Sequence, residues 1–223
     1  ELMKGFFGIV CLLVVLQVQC APGKLDGTLI HYGSLLRIRS TLTGHLYQHR
    51  LIQPPQPEIT LGPQGPNSVT GFNADASDAN SLWSVQEEHP RSTKTFKDIL
   101  KCGDSIMLQH ALTEGRLRTH EGSTGLTSSD LQFVHNFRGD KEENELEGSV
   151  CRQEVGEPLA FSDEFQLFHR STEKFLRFSN GQPYTEFNCG RGCTLAGQLE
   201  LHAVKEGGKD TLLRAVSGMA IVD

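Results

Sequence analysis

Apolar positions recur along this chain in short alternating bursts, and residues 102–120 hold the clearest one. Ile106 and Leu108 alternate with the period of a half-buried strand. Thr113, Glu114 and Gly115 supply turn chemistry, and Leu117 begins a return strand. The same pattern comes back later. Phe165, Leu167 and His169 repeat Ile106, Leu108 and His110 about 59 positions on, and Thr172, Glu173, Leu176 and Arg177 repeat Thr113, Glu114, Leu117 and Arg118 at the same offset. Leu36, Ile38 and Thr43 stand about 70 positions ahead of Ile106, Leu108 and Thr113, with Leu46 one place out of register, so the first turn is a residue shorter.

The rest of the chain fills in around these pairs. Residues 68–72 and 82–85 predict two short strands that complete a first unit, and residues 131–137 and 149–153 do the same for a second. In the third unit, residues 164–178 predict the strand pair, Asn180-Gly181 a turn, 189–193 a loop and 199–204 the closing strand. Residues 212–222 are moderately apolar and fit either a last strand or a short helix. Residues 53–67 carry Pro54, Pro55, Pro57, Pro63 and Pro66, which excludes an interior strand and predicts a surface loop within the first unit. The expected layout is a leader at 21–31, one domain at 32–206 with units near 32–90, 99–156 and 157–206, and a tail at 207–223. Units that cannot bury an apolar face alone can close a barrel together, which removes open sheet edges. The expected fold is all-β, a β-trefoil with pseudo-threefold symmetry.

Lys4, an apolar run at 6–16 and the stretch ending at Cys20 describe a secretory signal peptide over 1–20, with Met3 as the natural start and cleavage after Cys20. The net charge of −6, with scattered Lys and Arg, gives no electrostatic footprint for nucleic acid and no polybasic membrane patch. Beyond the signal peptide, Cys102, Cys151, Cys189 and Cys193 form an even set that favours disulfides in an oxidising compartment. Zinc is the weaker alternative, because Cys189 and Cys193 lack a second compact Cys/His pair. The favoured pairing joins Cys102 to Cys151, the opening and close of the second unit, leaving Cys189 to Cys193. The acidic run at 142–147 reads as a solvated loop without calcium-loop spacing.

Catalytic motifs are missing: there is no G-x-S-x-G, H-E-x-x-H, P-loop or G-x-G-x-x-G. Paired carboxylates for glycoside hydrolysis meet only in space, and nothing in the sequence points to such a pair. No cofactor is expected. His110 and His169 share a repeat position, as do His49 and His120. A repeated histidine in a β-repeat reads first as structural, bonding a neighbouring hairpin through one ring nitrogen. The functional alternative has Tyr47, His49, Arg118, His120 and Arg177 lining symmetry-related ligand grooves, where Tyr and Arg suit peptide or sugar recognition. Trp83, inside an apolar strand, reads as core, with Leu201 taking its place in the third unit.

Several segments resemble the MIR repeats shared by protein O-mannosyltransferases, inositol trisphosphate receptors and ryanodine receptors. Tyr32-Gly33-Ser34 and Cys102-Gly103-Asp104 are similar to the repeat openings, and His45-Leu46-Tyr47-Gln48-His49 and Arg116-Leu117-Arg118-Thr119-His120 to the leucine-plus-histidine segment. Ser68-Val69-Thr70-Gly71 and Asp78-Ala79-Asn80-Ser81-Leu82-Trp83 are similar to the second half of a first repeat. Over roughly residues 32–206 the chain most resembles the stromal cell-derived factor two family, small luminal proteins made of MIR repeats. Its third unit departs from the pattern where Phe178 and Ser179 replace the Thr–His ending, and its last residues, 218–223, lack the family's retention ending. The resemblance implies a non-catalytic module of the endoplasmic reticulum lumen or of secretion. Its implied work is in quality control beside an Hsp70-type chaperone and its J-domain co-chaperone, or in O-mannosylation, with a client polypeptide or glycan as ligand. A secreted lectin or glycan-processing enzyme is the alternative. The lectin signature Gln-x-Trp is not met, since Ser81 stands where its Gln would be.

Overall fold

The alternating stretches fold as strands. A computed structural model describes residues 27–41, 46–49, 67–72, 79–87, 93–125, 127, 131–137, 149–151, 154–193 and 195–219. The expected signal peptide, the proline-rich stretch at 53–66 and the acidic run at 142–147 lie outside the described residues. In chain order the strands are β1 (Leu35–Ser40), β2 (Leu46–His49), β3 (Asn67–Phe72), β4 (Trp83–Glu87), β5 (Ile106–His110) and β6 (Arg116–Thr124). They continue with β7 (Gln132–Phe137), β8 (Ser149–Cys151), β9 (Glu164–His169), β10 (Lys174–Pro183), β11 (Leu199–Val204) and β12 (Leu213–Met219). A single α-helical turn, α1 (Glu186–Cys189), lies between β10 and β11 among the described residues. The protein is all-β.

Nine of these strands close a ring. β9 pairs with β10, β10 with β11, β11 with β7, β7 with β6 and β6 with β5; β5 pairs with β4, β4 with β1, β1 with β12, and β12 returns to β9, each pair antiparallel. β2 pairs with β1 and β3, β3 also with β7 and β11, and β8 with β9. The alternation seen in the sequence is the ring's inside and outside: Leu36 and Ile38 on β1, Ile106 and Leu108 on β5, and Phe165 and Leu167 on β9 are all buried in one core. Burying such side chains contributes about 1.5–3 kcal/mol each.

One end of the ring is sealed by backbone bonds that recur three times. Ile30 N–H donates to Leu159 C=O (2.9 Å), Leu159 N–H to Leu100 C=O (2.8 Å) and Leu100 N–H back to Ile30 C=O (2.7 Å). A tight turn follows each of these segments. Ser34, Asp104 and Asp163 N–H groups donate to the His31, Lys101 and Ala160 carbonyls at 3.1, 3.1 and 3.2 Å. Their side chains accept in return from the backbone N–H groups of His31, Lys101 and Ala160 at 3.3, 2.9 and 2.8 Å. Short Ser and Asp side chains suit such turns because they reach back to their own backbone. The turns need positive φ at Gly33 (84°), Gly103 (87°) and Ser162 (74°). At Gly103 a Cβ would also stand 2.9 Å from Val155 Cγ1.

Three local expectations resolve against the fold. Asn180-Gly181 does not turn the chain; it lies inside β10, where the register against β11 shifts between Phe178 and Pro183, so the extra residues form a bulge. The two options for the tail resolve to β12, which pairs with both β9 and β1. That changes the counterpart of Trp83. Trp83 pairs with Leu36 on β1, and the residue opposite the equivalent Phe165 on β9 is Leu213, not Leu201. Trp83 and Leu213 are both fully buried, so the large ring is core as expected, and leucine fills the same place in the third unit.

Candidate functional site

Residues directly opposite one another in antiparallel strands share a face. Across β6, β7, β11 and β10 the register sets Arg118 opposite His135, Phe133 opposite His202, and His202 opposite Arg177. Because side chains alternate along a strand, His120 joins Arg118, and Glu200 joins His202, in the same layer. The opposite face carries Leu117, Val134, Leu201 and Leu176, which belong to the core. This layer of arginine, histidine and aromatic groups, on the far side of the sheet from the core, is the candidate site.

Its two halves differ. On β6 and β7 the His120 and His135 rings meet edge to face at 5.5 Å, and His135 stacks on Phe133 at 5.9 Å. His135 is buried, and burial, with smaller contributions from His120 and Arg118, pushes its pKa down to about 3. His120 is exposed; desolvation and then the Arg118 charge lower its pKa. Around β11 the layer becomes a polar network centred on Glu200. Tyr184 Oη donates to Glu200 Oε1 (2.8 Å), Thr127 N–H (2.9 Å) and Oγ1–H (2.5 Å) donate to Glu200 Oε2, and His202 Nε2–H donates to that same oxygen (2.9 Å). Glu200 and His202 are both wholly buried. Burial alone would raise the Glu200 pKa, but the hydrogen bonds from His202 and Thr127 outweigh it and hold the carboxyl below its usual range. Burial and the neighbouring carboxylate push the Tyr184 phenol up. Gly125 permits this approach, since a Cβ there would lie 2.6 Å from Glu200 Oε2.

The five sequence-chosen site residues scatter within this picture. Arg118 and His120 sit together on β6, and Arg177 lies at the other edge of the layer, half-buried and paired with Asp210 at 3.3 Å. Arg118 is not the exposed groove residue expected: only 8 % of it is accessible, because its strand lies between two others and its side chain packs beside His135. Tyr47 and His49 have backbone places on β2, opposite Gly71 and Val69, and their side chains lie outside the described residues. The sequence reading missed Glu200, His202, Tyr184 and Thr127. Glu200 and His202 alternate with Leu199, Leu201 and Ala203, a pattern that ordinarily marks a solvent face, so no local signal announced their burial.

His110 and His169 fit the structural reading. His110 is buried, bonds Thr113 Oγ1 (2.9 Å) and the Asn80 carbonyl (3.1 Å), and meets the edge of Trp83 at 5.1 Å. His169, also buried, bonds Thr172 Oγ1 at 2.7 Å. Each histidine ties its strand to the turn that follows, in which Glu114 and Glu173 share a positive φ (57° and 53°). Cys189 and Cys193 are joined in a disulfide, which removes them as zinc ligands. Cys102 is disulfide-bonded as well, and the side chain of its expected partner, Cys151, lies outside the described residues. Among the described residues no group of three or more His, Cys, Asp or Glu is placed to hold a metal, and no helix is long and apolar enough to cross a membrane.

No family model matches the chain. Bovine stromal cell-derived factor 2-like protein 1 is 29% identical over 203 residues, covering 89% of this chain and 81% of its own. A Schizosaccharomyces pombe dolichyl-phosphate-mannose–protein mannosyltransferase 1 is 29% identical over 105 residues, 47% of this chain but only 11% of that enzyme. Among solved structures, the SDF2-like protein from Arabidopsis thaliana superposes with a TM-score of 0.70 at 22% identity, covering 86% of this chain and 97% of that one. The MIR-repeat resemblance of residues 32–206 fits these relationships. The chain is similar to stromal cell-derived factor 2-like proteins along most of its length, and it shares the fold of the SDF2-like protein from Arabidopsis thaliana.

Proposed function

We propose that this chain is a non-catalytic binding module of the secretory pathway, a β-trefoil of three MIR repeats that assists protein quality control or O-mannosylation. Its partners on this reading are a chaperone or co-chaperone, a client polypeptide, or a glycan. The observation that carries it is the repetition of one polar layer: Arg118 opposite His135 and Arg177 opposite His202 are the same cross-strand pair in successive units. The trefoil reading is supported by the threefold recurrence of the sealing bonds and turns, with β12 extending the third unit to Met219. The named relatives support the pathway, and the short match to a mannosyltransferase supports the link to O-mannosylation.

Exposed His120 and half-buried Arg177 make the test. His120→Ala combined with Arg177→Ala removes polar groups at the two edges of the layer and leaves Arg118, Glu200 and His202 in place. Capture of a J-domain co-chaperone, of an unfolded reporter polypeptide and of an arrayed glycan set should be measured beside melting curves on the same preparations. The reading expects at least one of these ligands to bind and to be lost with the melting midpoint held. Unchanged binding of that ligand, or binding to none of the three, refutes it. Turnover of a glycoside by the purified protein would instead establish the glycan-processing alternative.

A further inference from the structure

The Cys189–Cys193 disulfide closes a short loop. It joins cysteines four positions apart, so opening it frees little chain. The loop around it is held without it. Thr185 caps α1 through a hydrogen-bond pair with Asn188, Cys189 N–H donates to Thr185 C=O (2.9 Å), Gly190 N–H to Glu186 C=O (3.1 Å) and Cys193 N–H to Gly190 C=O (3.1 Å). At the loop's base, buried Tyr184 exchanges backbone bonds with Gln198 and Gly197. The bridge is also reachable. Cys189 and Cys193 are both part-exposed, and Gly190, Arg191 and Gly192 between them are exposed. Two of those three have no side chain to obstruct an approaching thiolate, and Arg191 supplies a positive charge that favours a departing thiolate. Two residues before Cys189 stands Phe187, whose ring is fully exposed (100%) on this fixed turn.

We propose that this loop is a thiol–disulfide exchange site for cysteine-bearing, aromatic-rich polypeptides, with Phe187 as the contact that holds them beside the bridge. A substrate thiolate attacks one sulfur of the pair, forming a mixed disulfide and releasing the other cysteine as a thiolate. A second substrate thiolate then attacks the mixed disulfide. The substrate leaves with a disulfide, Cys189 and Cys193 retain two electrons, and the two protons of the substrate thiols end on them. A small disulfide oxidant, such as glutathione disulfide, restores the bridge by the reverse sequence. The exchange is stoichiometric per bridge and does not depend on the partner surface described above.

The full chain, oxidised, should be mixed with a reduced peptide carrying two cysteines and flanking phenylalanines, quenched in acid, alkylated and mapped. The expected result is peptide disulfide appearing one for one with new thiols at Cys189 and Cys193, while Cys102 stays oxidised. Cys189→Ser with Cys193→Ser should abolish transfer without changing the circular dichroism spectrum. If that variant does not fold, a quenched mixed disulfide on the unaltered chain, mapped to Cys189 or Cys193, serves in its place. Phe187→Ala should slow transfer from the aromatic peptide about two- to tenfold, the scale of one aromatic contact, and leave the reaction with reduced glutathione unchanged. A bridge that stays closed under these thiols, new thiols at Cys102 instead, or equal slowing of peptide and glutathione by Phe187→Ala overturns the proposal. Failure of the co-chaperone, polypeptide and glycan binding test leaves it standing.

Discussion

Replacing Glu200 with leucine should be among the most damaging single changes in this protein. The substitution nearly conserves volume but removes both carboxylate oxygens from a cluster in which Tyr184, Glu200 and His202 are wholly buried. Tyr184 Oη–H, Thr127 N–H and Oγ1–H, and His202 Nε2–H all lose their oxygen at once. Removing one member of a buried polar pair costs ~3–5 kcal/mol, chiefly because the remaining members stay desolvated and unpaired. For a domain of this size each kcal/mol moves the melting midpoint by about 2–4 °C, so Glu200→Leu should melt roughly 6–20 °C below the unaltered protein. Glu200→Gln retains one oxygen and should fall between the two. Calorimetry at neutral pH gives the midpoints, and hydrogen exchange at the Thr127 amide should lose protection in the leucine variant. The pH dependence supplies a second readout. A carboxyl whose folded pKa lies below its unfolded value stabilises above the unfolded pKa, and that stabilisation is lost as pH falls through the folded pKa. The unaltered protein should therefore lose more of its midpoint below about pH 4.5 than Glu200→Gln does. A midpoint within 2 °C of the original for Glu200→Leu, or parallel acid curves, would refute the network as a source of stability.

Further outcomes are expected elsewhere. Non-reducing peptide mapping should pair Cys102 with Cys151; a Cys102–Cys189 peptide would break the assignment. His110→Ala should lower stability by ~2–3 kcal/mol in denaturant melts, since it strips the bonds to Thr113 and Asn80 and the packing on Trp83, and a cost under ~0.5 kcal/mol would make the histidine incidental. His135, held at a pKa of about 3 by burial, must stay neutral to fold. It therefore stabilises above its unfolded value near 6.5, and that stability drains as pH falls toward 3; His135→Leu should flatten the midpoint between pH 6.5 and pH 4.5.

Local alternation was enough to read β1, β5 and β9, because each has one face in the core and a period of two. The histidine-to-turn tie was legible too, since His110 with Thr113 and His169 with Thr172 keep one spacing in both units. What the sequence hid is long-range. Asn180-Gly181 carries strong turn chemistry, yet β11 is already in place alongside and absorbs the pair as a bulge. Arg118 looked like a groove residue because nothing nearby in sequence reveals that β7 will cover its strand. Glu200 and His202 looked solvent-facing because their partners come from Tyr184 and from Thr127, which lies 73 positions away.

Neighbouring strands β1 and β12 stand at opposite ends of the described chain, with Leu35 opposite Met219. On a ribosome adding about 5–20 residues per second, β1 emerges first and waits roughly 10–40 s before β12 exists to cover its edge. During that interval its backbone donors and acceptors are open to any other extended chain. Mispairing of that edge is thus confined to the interval before β12 is made, and β12 ends the exposure by pairing with it.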